Sequence, residues 1–421
     1  MPRKNFEVCV VGSLNMDTVQ FCDNQQPQEA SHTQAMGPSK RFPGGIGANH
    51  AVAIHRMSHP DPTATSQGHD ANLPFDVSVS IIGKIGGQDS HGKILKEKLE
   101  GHHIRTQAVT TAKDQKTGKA NITLQEDGNA TIVNVPNANS KLLPADVESF
   151  WPASGTDLVV VSLEIPPRTA SRAVTLAKKN KVPVILNLTP APKPDLLGLS
   201  ELFEVDHLIT NHKDADRILA FPSIEDNARR KKTILQTRYS DAANRFHEKG
   251  ASCVVITLGE MGALASYVIP EPEDGAGGQK LWFFGAQIPV DPNGGPRRVS
   301  RKVKDLTGAS DAFVGAYAVG ILRQLHEERV TSQSRDISTA LDMGIKAGGY
   351  SVGVVGGMEG CPWRDQIVGV AFMASSLSDG TGCPDEAYHG EMAVSGSRVF
   401  GCGLVKSVEF EELKVWSCFL G

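Results

Sequence analysis

Long apolar runs are missing from this chain of 421 residues, and no stretch is long and apolar enough to span a bilayer, which argues against a membrane-embedded class. Aromatic residues are scarce at 6%, and 43 Lys and Arg against 47 Asp and Glu leave a formal charge of −4. There is thus no basic stripe with interleaved aromatics, and nucleic acid is not expected as a partner. The seven cysteines (Cys9, Cys22, Cys253, Cys361, Cys383, Cys402 and Cys418) form neither CxxC pairs nor a zinc spacing. Reduced thiols, several of them buried, are expected instead. Met1 to Glu7 is charged and leads straight into an apolar strand, so no signal-peptide core is expected there. These absences point to a soluble protein of the cytoplasm, with the nucleus also open, that handles small molecules.

What is present is an alternation of short apolar strands with helical segments. Val8–Gly12 reads as a buried strand that delivers Asn15 and Asp17 just beyond its end, a natural place for a site. Gly44–Met57 combines a Gly-rich turn with a helix, Val77–Ile82 is a strand, and Gly83–Gly101 reads as a turn and a charged helix. Lys119–Val135 alternates around Asp127-Gly128-Asn129, a hairpin turn for a small exposed sheet. Strands at 158–163, 182–188, 207–210 and 252–258 then alternate with helices, the pattern of βαβ crossovers and a largely parallel sheet. Residues 274–280 and 291–301 read as loops. After Val368 the rhythm is lost.

The segment Asp305-Leu306-Thr307-Gly308-Ala309-Ser310-Asp311 places small residues at a helix start with a carboxylate beside them. The first amides of a helix lack internal acceptors and sit at the positive end of its dipole, so an anion can approach where side chains are small. Asp311 would stand where charge develops in phosphoryl transfer. A turn before a buried helix would produce the same letters for structural reasons alone. Upstream, Gly44-Gly45-Ile46-Gly47-Ala48-Asn49, with Asn15 and Asp17, offers close backbone approach and a set of donors and acceptors suited to several hydroxyls.

In this order the two motifs, GGIGANHAV and DLTGASDAFVGAY, resemble the signatures of the ribokinase-like, or PfkB, carbohydrate kinase family. Leu163-Glu164, NLTPAP from Asn187, Thr210-Asn211 with Asp214, TLGEMG from Thr257 and Pro362-Trp363-Arg364 fall in the family's order. The resemblance implies a three-layer α/β/α sandwich over residues 1–367, with a mostly parallel central sheet and a small β lid from about 18–43 and 105–137. It also implies a surface insertion at 58–74, a tail at 368–421 without an assigned role, and a homodimer formed through the lid. The activity implied is ATP-dependent phosphorylation of the 5-hydroxyl of D-ribose to D-ribose 5-phosphate. Another sugar, a nucleoside, or an impaired sugar- or nucleotide-binding member are the alternatives.

By the same resemblance Asp311 is the general base, and Asn15, Asp17, Gly45, Asn49 and Glu164 join it on the sugar. Asn211, Thr257, Gly259, Gly262, Gly308, Ala309 and Ser310 bind ATP, and Asp214 helps order Mg2+ indirectly. Asp305 with Thr307, Ser351, Val354 and Gly356 holds an activating monovalent cation, K+; a helix-entry cap is the plainer role for Asp305.

Four positions depart from the family pattern. Ile46 stands where a Lys is usual, which would remove a charged hydrogen bond worth about 1.5–3 kcal/mol. Ser310 replaces a Gly, and if that position requires positive φ the strain would be about 1–2 kcal/mol. Asp214 is one methylene shorter than the usual Glu, and Gly360 lacks a Ser hydroxyl near the cation. His50, His55 and His59 have no acidic or Cys companions in sequence and are expected on a helix surface or loop, not in a metal site.

Overall fold

The computed structural model describes residues 3–22, 35–64, 73–125, 130–151, 155–191, 199–222, 232–269, 278–284, 287–289, 304–331, 337–368, 372–374, 389–394 and 399–401. The chain opens with β1 (Asn5–Val11), β2 (Asn15–Phe21), β3 (Lys40–Gly44) and α1 (Ile46–Ser58). Next come β4 (Asp76–Gly86), α2 (His91–Gly101), β5 (Val109–Ala112), β6 (Gly118–Leu124), β7 (Ala130–Val135) and α3 (Pro144–Phe150). The alternating part runs β8 (Leu158–Ser162), α4 (Pro167–Lys179), β9 (Val184–Asn187), α5 (Ser200–Phe203), β10 (His207–Asn211), α6 (His212–Ile218), α7 (Lys232–Glu248) and β11 (Cys253–Thr257). It closes with β12 (Ala263–Ile269), β13 (Gly278–Phe284), β14 (Gln287–Pro289), α8 (Ala309–Thr331), α9 (Ser338–Ser351), β15 (Phe372–Ala374), β16 (His389–Val394) and β17 (Val399–Gly401).

The main sheet has the order β17-β16-β13-β12-β11-β10-β9-β8-β1-β4-β5. Its members from β5 to β11 are parallel, and the remainder add antiparallel at the β11 edge. The reason is legible in the strands: β8, β9 and β11 are near-continuous apolar runs because both faces are covered. Period-two alternation sends Val8 and Val10 of β1 into one core with α1, α8 and α9, and Cys9 and Val11 into the other with α3, α4 and α7. The outcome is a three-layer α/β/α sandwich. In α7, Leu235, Tyr239, Ala242, Ala243 and Phe246 form the buried stripe.

Helix α8 differs, being buried on all sides from Asp311 to Leu322. Its contact with α1 is close because Gly315 lies against Ala53, where an added Cβ would come within 2.2 Å of the alanine methyl. That approach brings the start of α8 to the start of α1, which positions the site. Tyr317, Val319 and Leu322 are fully buried there; each such large side chain contributes about 1.5–3 kcal/mol.

A four-stranded sheet of order β3-β2-β6-β7 stands apart from the main one. Two sequence expectations change. Residues 105–112, assigned above to the small sheet, extend the main sheet instead: Arg105 bridges Ser80, and Val109–Ala112 pairs in parallel with Gly83–Gly86, which is also why β4 runs on past Ile82. Residues 278–280, read as loop, open β13, paired along β12. The turn at 127–129, residues 65–72 of the 58–74 insertion, residues 23–34 of the small-sheet segment, the loop at 291–301 and most of the tail lie outside the described residues. Among the described residues no helix is long and apolar enough to cross a membrane.

Candidate active site

Asp311 lies in the first turn of α8 and is almost buried. Its Oδ2 accepts a hydrogen bond of 2.8 Å from Asn49 Nδ2 on α1, uniting the two Gly-containing motifs across 262 residues of chain. Gly308, just before the helix, has φ 85°, and a Cβ there would lie 2.5 Å from the Gly357 Cα. Glycine is therefore required at 308. Ser310 has ordinary helical backbone and is absent from the positive-φ residues, so the strain expected there does not exist: the left-handed step falls two residues earlier. Ala309 N makes only a 3.4 Å bond to Leu306 O, and the first amide with a full helical bond is Ala312 N, to Gly308 O at 2.9 Å, which leaves the amides of Ser310 and Asp311 as donors for an anion.

The residues expected to meet hydroxyls lie at the end of β1 and the start of β2, with Glu164 and Asn49 beside them. Asn15 Nδ2 donates to Glu164 Oε2 at 3.0 Å, and Asn15 Oδ1 accepts from Asn139 Nδ2 at 2.7 Å. Glu164 also accepts from the Ser13 hydroxyl and from the Ile46 amide at 3.4 Å. Gly45, at φ 95°, passes so close that a Cβ would lie 2.6 Å from Asn15 N. Asp17 Oδ1 and Asn49 Oδ1 are buried without a partner, which is costly unless a ligand hydroxyl meets them. Burial pushes the Asp17 carboxyl well above the usual carboxylate range, and the negative charges of Glu164, Asp311, Glu359 and Asp305 push the same way. Glu164 is also raised, chiefly by burial, with its hydrogen bonds from Ser13, Ile46 and Asn15 opposing.

Among the residues expected to bind nucleotide, Asn211 caps α6: its Oδ1 accepts from Asp214 N at 2.9 Å, while Nδ2 donates to Asp214 Oδ2 at 2.7 Å and to Thr189 Oγ1 at 3.1 Å. Thr257 ends β11 beside β10, in register with Asn211. Gly259 and Gly262 both have positive φ in the turn after it, with open space at Gly259.

The cation candidates are brought together. Fully buried Asp305 accepts from Thr307 N at 2.8 Å and from Gly356 N at 2.9 Å, while the Ser351 carbonyl accepts from Val354 N at 2.9 Å. Thr307 Oγ1 and Ser351 Oγ are buried without partners. A Cβ at Gly360 would lie 2.8 Å from Ser351 Oγ, so this hydroxyl already points at the space the missing Ser side chain would take. Among the described residues no group of three or more His, Cys, Asp or Glu side chains is arranged to hold a metal.

Sequence reading missed four participants. Asn139 and Ser13 orient Asn15 and Glu164, Glu359 adds a buried oxygen without a partner, and His50 is fully buried, not on a surface, with Nε2 3.4 Å from Asp311 Oδ1. Position 50 directly after Asn49 was the available signal. His55 is also buried, stacked on His59 at 4.4 Å, and burial among the neighbouring histidines lowers it to about 3.

The family profile described as pfkB family carbohydrate kinase matches residues 5–364. A ribokinase of Lactococcus lactis subsp. lactis (strain IL1403) is 28% identical over 363 residues, covering 86% of this chain and 95% of that protein. Among solved structures, ribokinase from Cryptococcus neoformans var. grubii serotype A in complex with ADP superposes with a TM-score of 0.62 at 24% identity, covering 86% and 98%. Ribokinase of Arabidopsis thaliana complexed with ribose and ATP gives 0.59 at 23%, covering 87% and 98%.

Proposed function

Because the chain belongs to the pfkB family of carbohydrate kinases, we propose that it transfers the γ-phosphoryl group of ATP to the 5-hydroxyl of D-ribose. The observation that carries this reading is the Asn49–Asp311 bond, which holds a carboxylate at the meeting point of a polyol pocket and a helix start able to receive an anion. An alcohol at neutral pH needs its proton removed as it attacks, and Asp311 is the base within reach. The transferring group spreads charge over its oxygens, and the amides around Gly308 to Asp311 stabilise it.

The sugar's hydroxyls satisfy the atoms that lack partners. Asp17 Oδ1 and Asn49 Oδ1 accept from them, while Glu164 is held in place by Ser13, Asn15 and Ile46. Mg2+ arriving with the triphosphate neutralises its charge, and Asp214, fixed against Asn211, is the side chain suited to ordering its water. For K+, the oxygen set of Asp305, Thr307, Ser351, Val354 and Gly356 fits a hard monovalent ion, and the unpartnered Ser351 hydroxyl substitutes for the one absent at Gly360. Closure of the small sheet over the sugar would exclude water, and pairing of two such sheets would make a homodimer. Ile46 favours a second reading, another sugar or a nucleoside, because an apolar, half-buried side chain stands where a cationic donor would face the acceptor.

The test is ADP release with ATP and Mg2+ across pentoses, hexoses and nucleosides, in K+ and in Na+, with the phosphorylated position read by NMR and Asp311→Asn as control. Ribose 5-phosphate formed at the highest kcat/KM supports the proposal. Preference for another acceptor moves the assignment to that acceptor, and binding without turnover moves it to an impaired member.

A further inference from the structure

Arg364, from the Pro-Trp-Arg segment that the active site does not use, is 4% exposed, yet its Nε and Nη1 are buried with no hydrogen-bond partner. It opens a 3-10 turn, Arg364–Gln366, and lines a cavity of about 200 Å³ whose walls include Arg323 of α8 and Thr339, Asp342 and Lys346 of α9. The acid in that wall is already neutralised, since Asp342 Oδ2 lies 2.7 Å from Lys346 Nζ. Arg323, half exposed at the rim, pairs its Nε with Glu327 Oε1 at 2.9 Å, which leaves the Nη groups of the guanidinium to face an anion. A guanidinium so buried ordinarily has a carboxylate or several carbonyls against it, because desolvation of an unpaired charge is expensive. Here the nearest charges add to the problem: burial, then Arg323 and Arg3, lower Arg364 to about 10.

We propose that this cavity is a binding site for a small tetrahedral oxyanion of the phosphate class, gripped by Arg364 with Arg323 at its mouth. The planar guanidinium suits such a ligand through two parallel N–H donors, and Thr339 offers a hydroxyl on the same wall. The site is separate from the catalytic cleft: Arg323 lies twelve residues beyond Asp311 on the same helix, about 18 Å along its axis. An anion there ties α8, α9 and the 364–366 turn together. Those are the elements whose other ends carry Asp311 and the loop after Ser351.

The experiment is thermal unfolding of the full chain, with a non-hydrolysable ATP analogue saturating the nucleotide site so that its phosphate positions are filled. Inorganic phosphate is then titrated against chloride at matched ionic strength, and its affinity is taken from the shift. A saturable rise in melting temperature is expected with phosphate and not with chloride. Arg323→Gln should weaken phosphate about tenfold, the loss of one charge-assisted contact. Arg364→Met should abolish the effect, and without phosphate should melt no lower than the parent, since it removes an unpaired buried charge. Equal shifts with chloride, or a phosphate effect that survives Arg323→Gln unchanged, overturn the proposal. If Arg364→Met does not fold, the Arg323→Gln titration decides alone.

Discussion

Asp17 and Asp305 are buried acids of one cleft, 6% and 0% exposed, and the protein treats them in opposite ways. Both oxygens of Asp305 accept backbone amides, from Thr307 and Gly356, so its charge is built into the loops around the helix start. Asp17 has an oxygen with no partner and four other carboxylates acting on it. The Asp305 carboxylate is satisfied without ligand, whereas Asp17 keeps a buried acceptor open. Binding strength is therefore concentrated where the empty protein is least comfortable.

The largest effect should come from the residue between the two regions. Asp311→Asn keeps the side chain's shape and its contact with Asn49 but removes the proposed base, and turnover should fall roughly 10²- to 10⁴-fold with the melting temperature nearly unchanged. A variant that retains more than a tenth of the parent's kcat would remove Asp311 from the role of base. Asp17→Asn comes next. It should weaken the sugar by roughly 10- to 100-fold through loss of a carboxyl acceptor, measured calorimetrically, without loss of stability at neutral pH.

The sign for Asp17 follows from its raised pKa. Below the ordinary value of 3.8 both folded and unfolded chains hold the proton, and the residue costs nothing. As pH rises past that value the unfolded chain ionises first, so stability is lost progressively up to and through the raised folded value. Asp17→Asn should flatten this decline in denaturant midpoints taken across that window. An unchanged slope would mean that Asp17 ionises normally.

Asp305→Asn gives the contrasting result. An amide cannot accept from both Thr307 N and Gly356 N, so one buried amide loses its partner at a cost of about 1–3 kcal/mol. The measurement is urea unfolding in choline buffer, where no bound K+ contributes. If the midpoint does not move, or if Asp17→Asn destabilises equally, the contrast between the two regions fails.

Much of this was legible in the chain, for physical reasons. The apolar runs of β8, β9 and β11 announce a sheet covered on both faces, and the small residues before Asp311 announce a helix start open to an anion. What could not be read was anything decided by distant packing. Residues 105–112 alternate much like an exposed strand, yet they join the edge beside β4. The positive φ sits at Gly308 because Gly357, 49 residues further on, leaves no room for a side chain. His50 looked like one more helix histidine until the close contact between α1 and α8 set it against Asp311.

That histidine gives the smallest effect. Asn187 Oδ1 accepts from Thr189 N at 3.1 Å, which fixes the amide so that Nδ2 faces His50 Nε2 at 3.2 Å. With Nε2 accepting from Asn187, the network assigns a ring proton to Nδ1, which is buried without a partner. Nε2 also lies 3.4 Å from Asp311 Oδ1, so its single lone pair, shared with Asn187, can accept from Asp311 only once that carboxyl has taken the sugar's proton and can donate. His50 would thus stabilise the protonated base after transfer, a positioning role worth one neutral hydrogen bond of about 1 kcal/mol. His50→Leu should lower kcat about fivefold with little change in the KM for sugar, and His50→Gln, which restores an acceptor, should recover part of the loss. Equal losses in both variants with a raised KM would make His50 a packing residue and leave the Asn49 bond to hold Asp311.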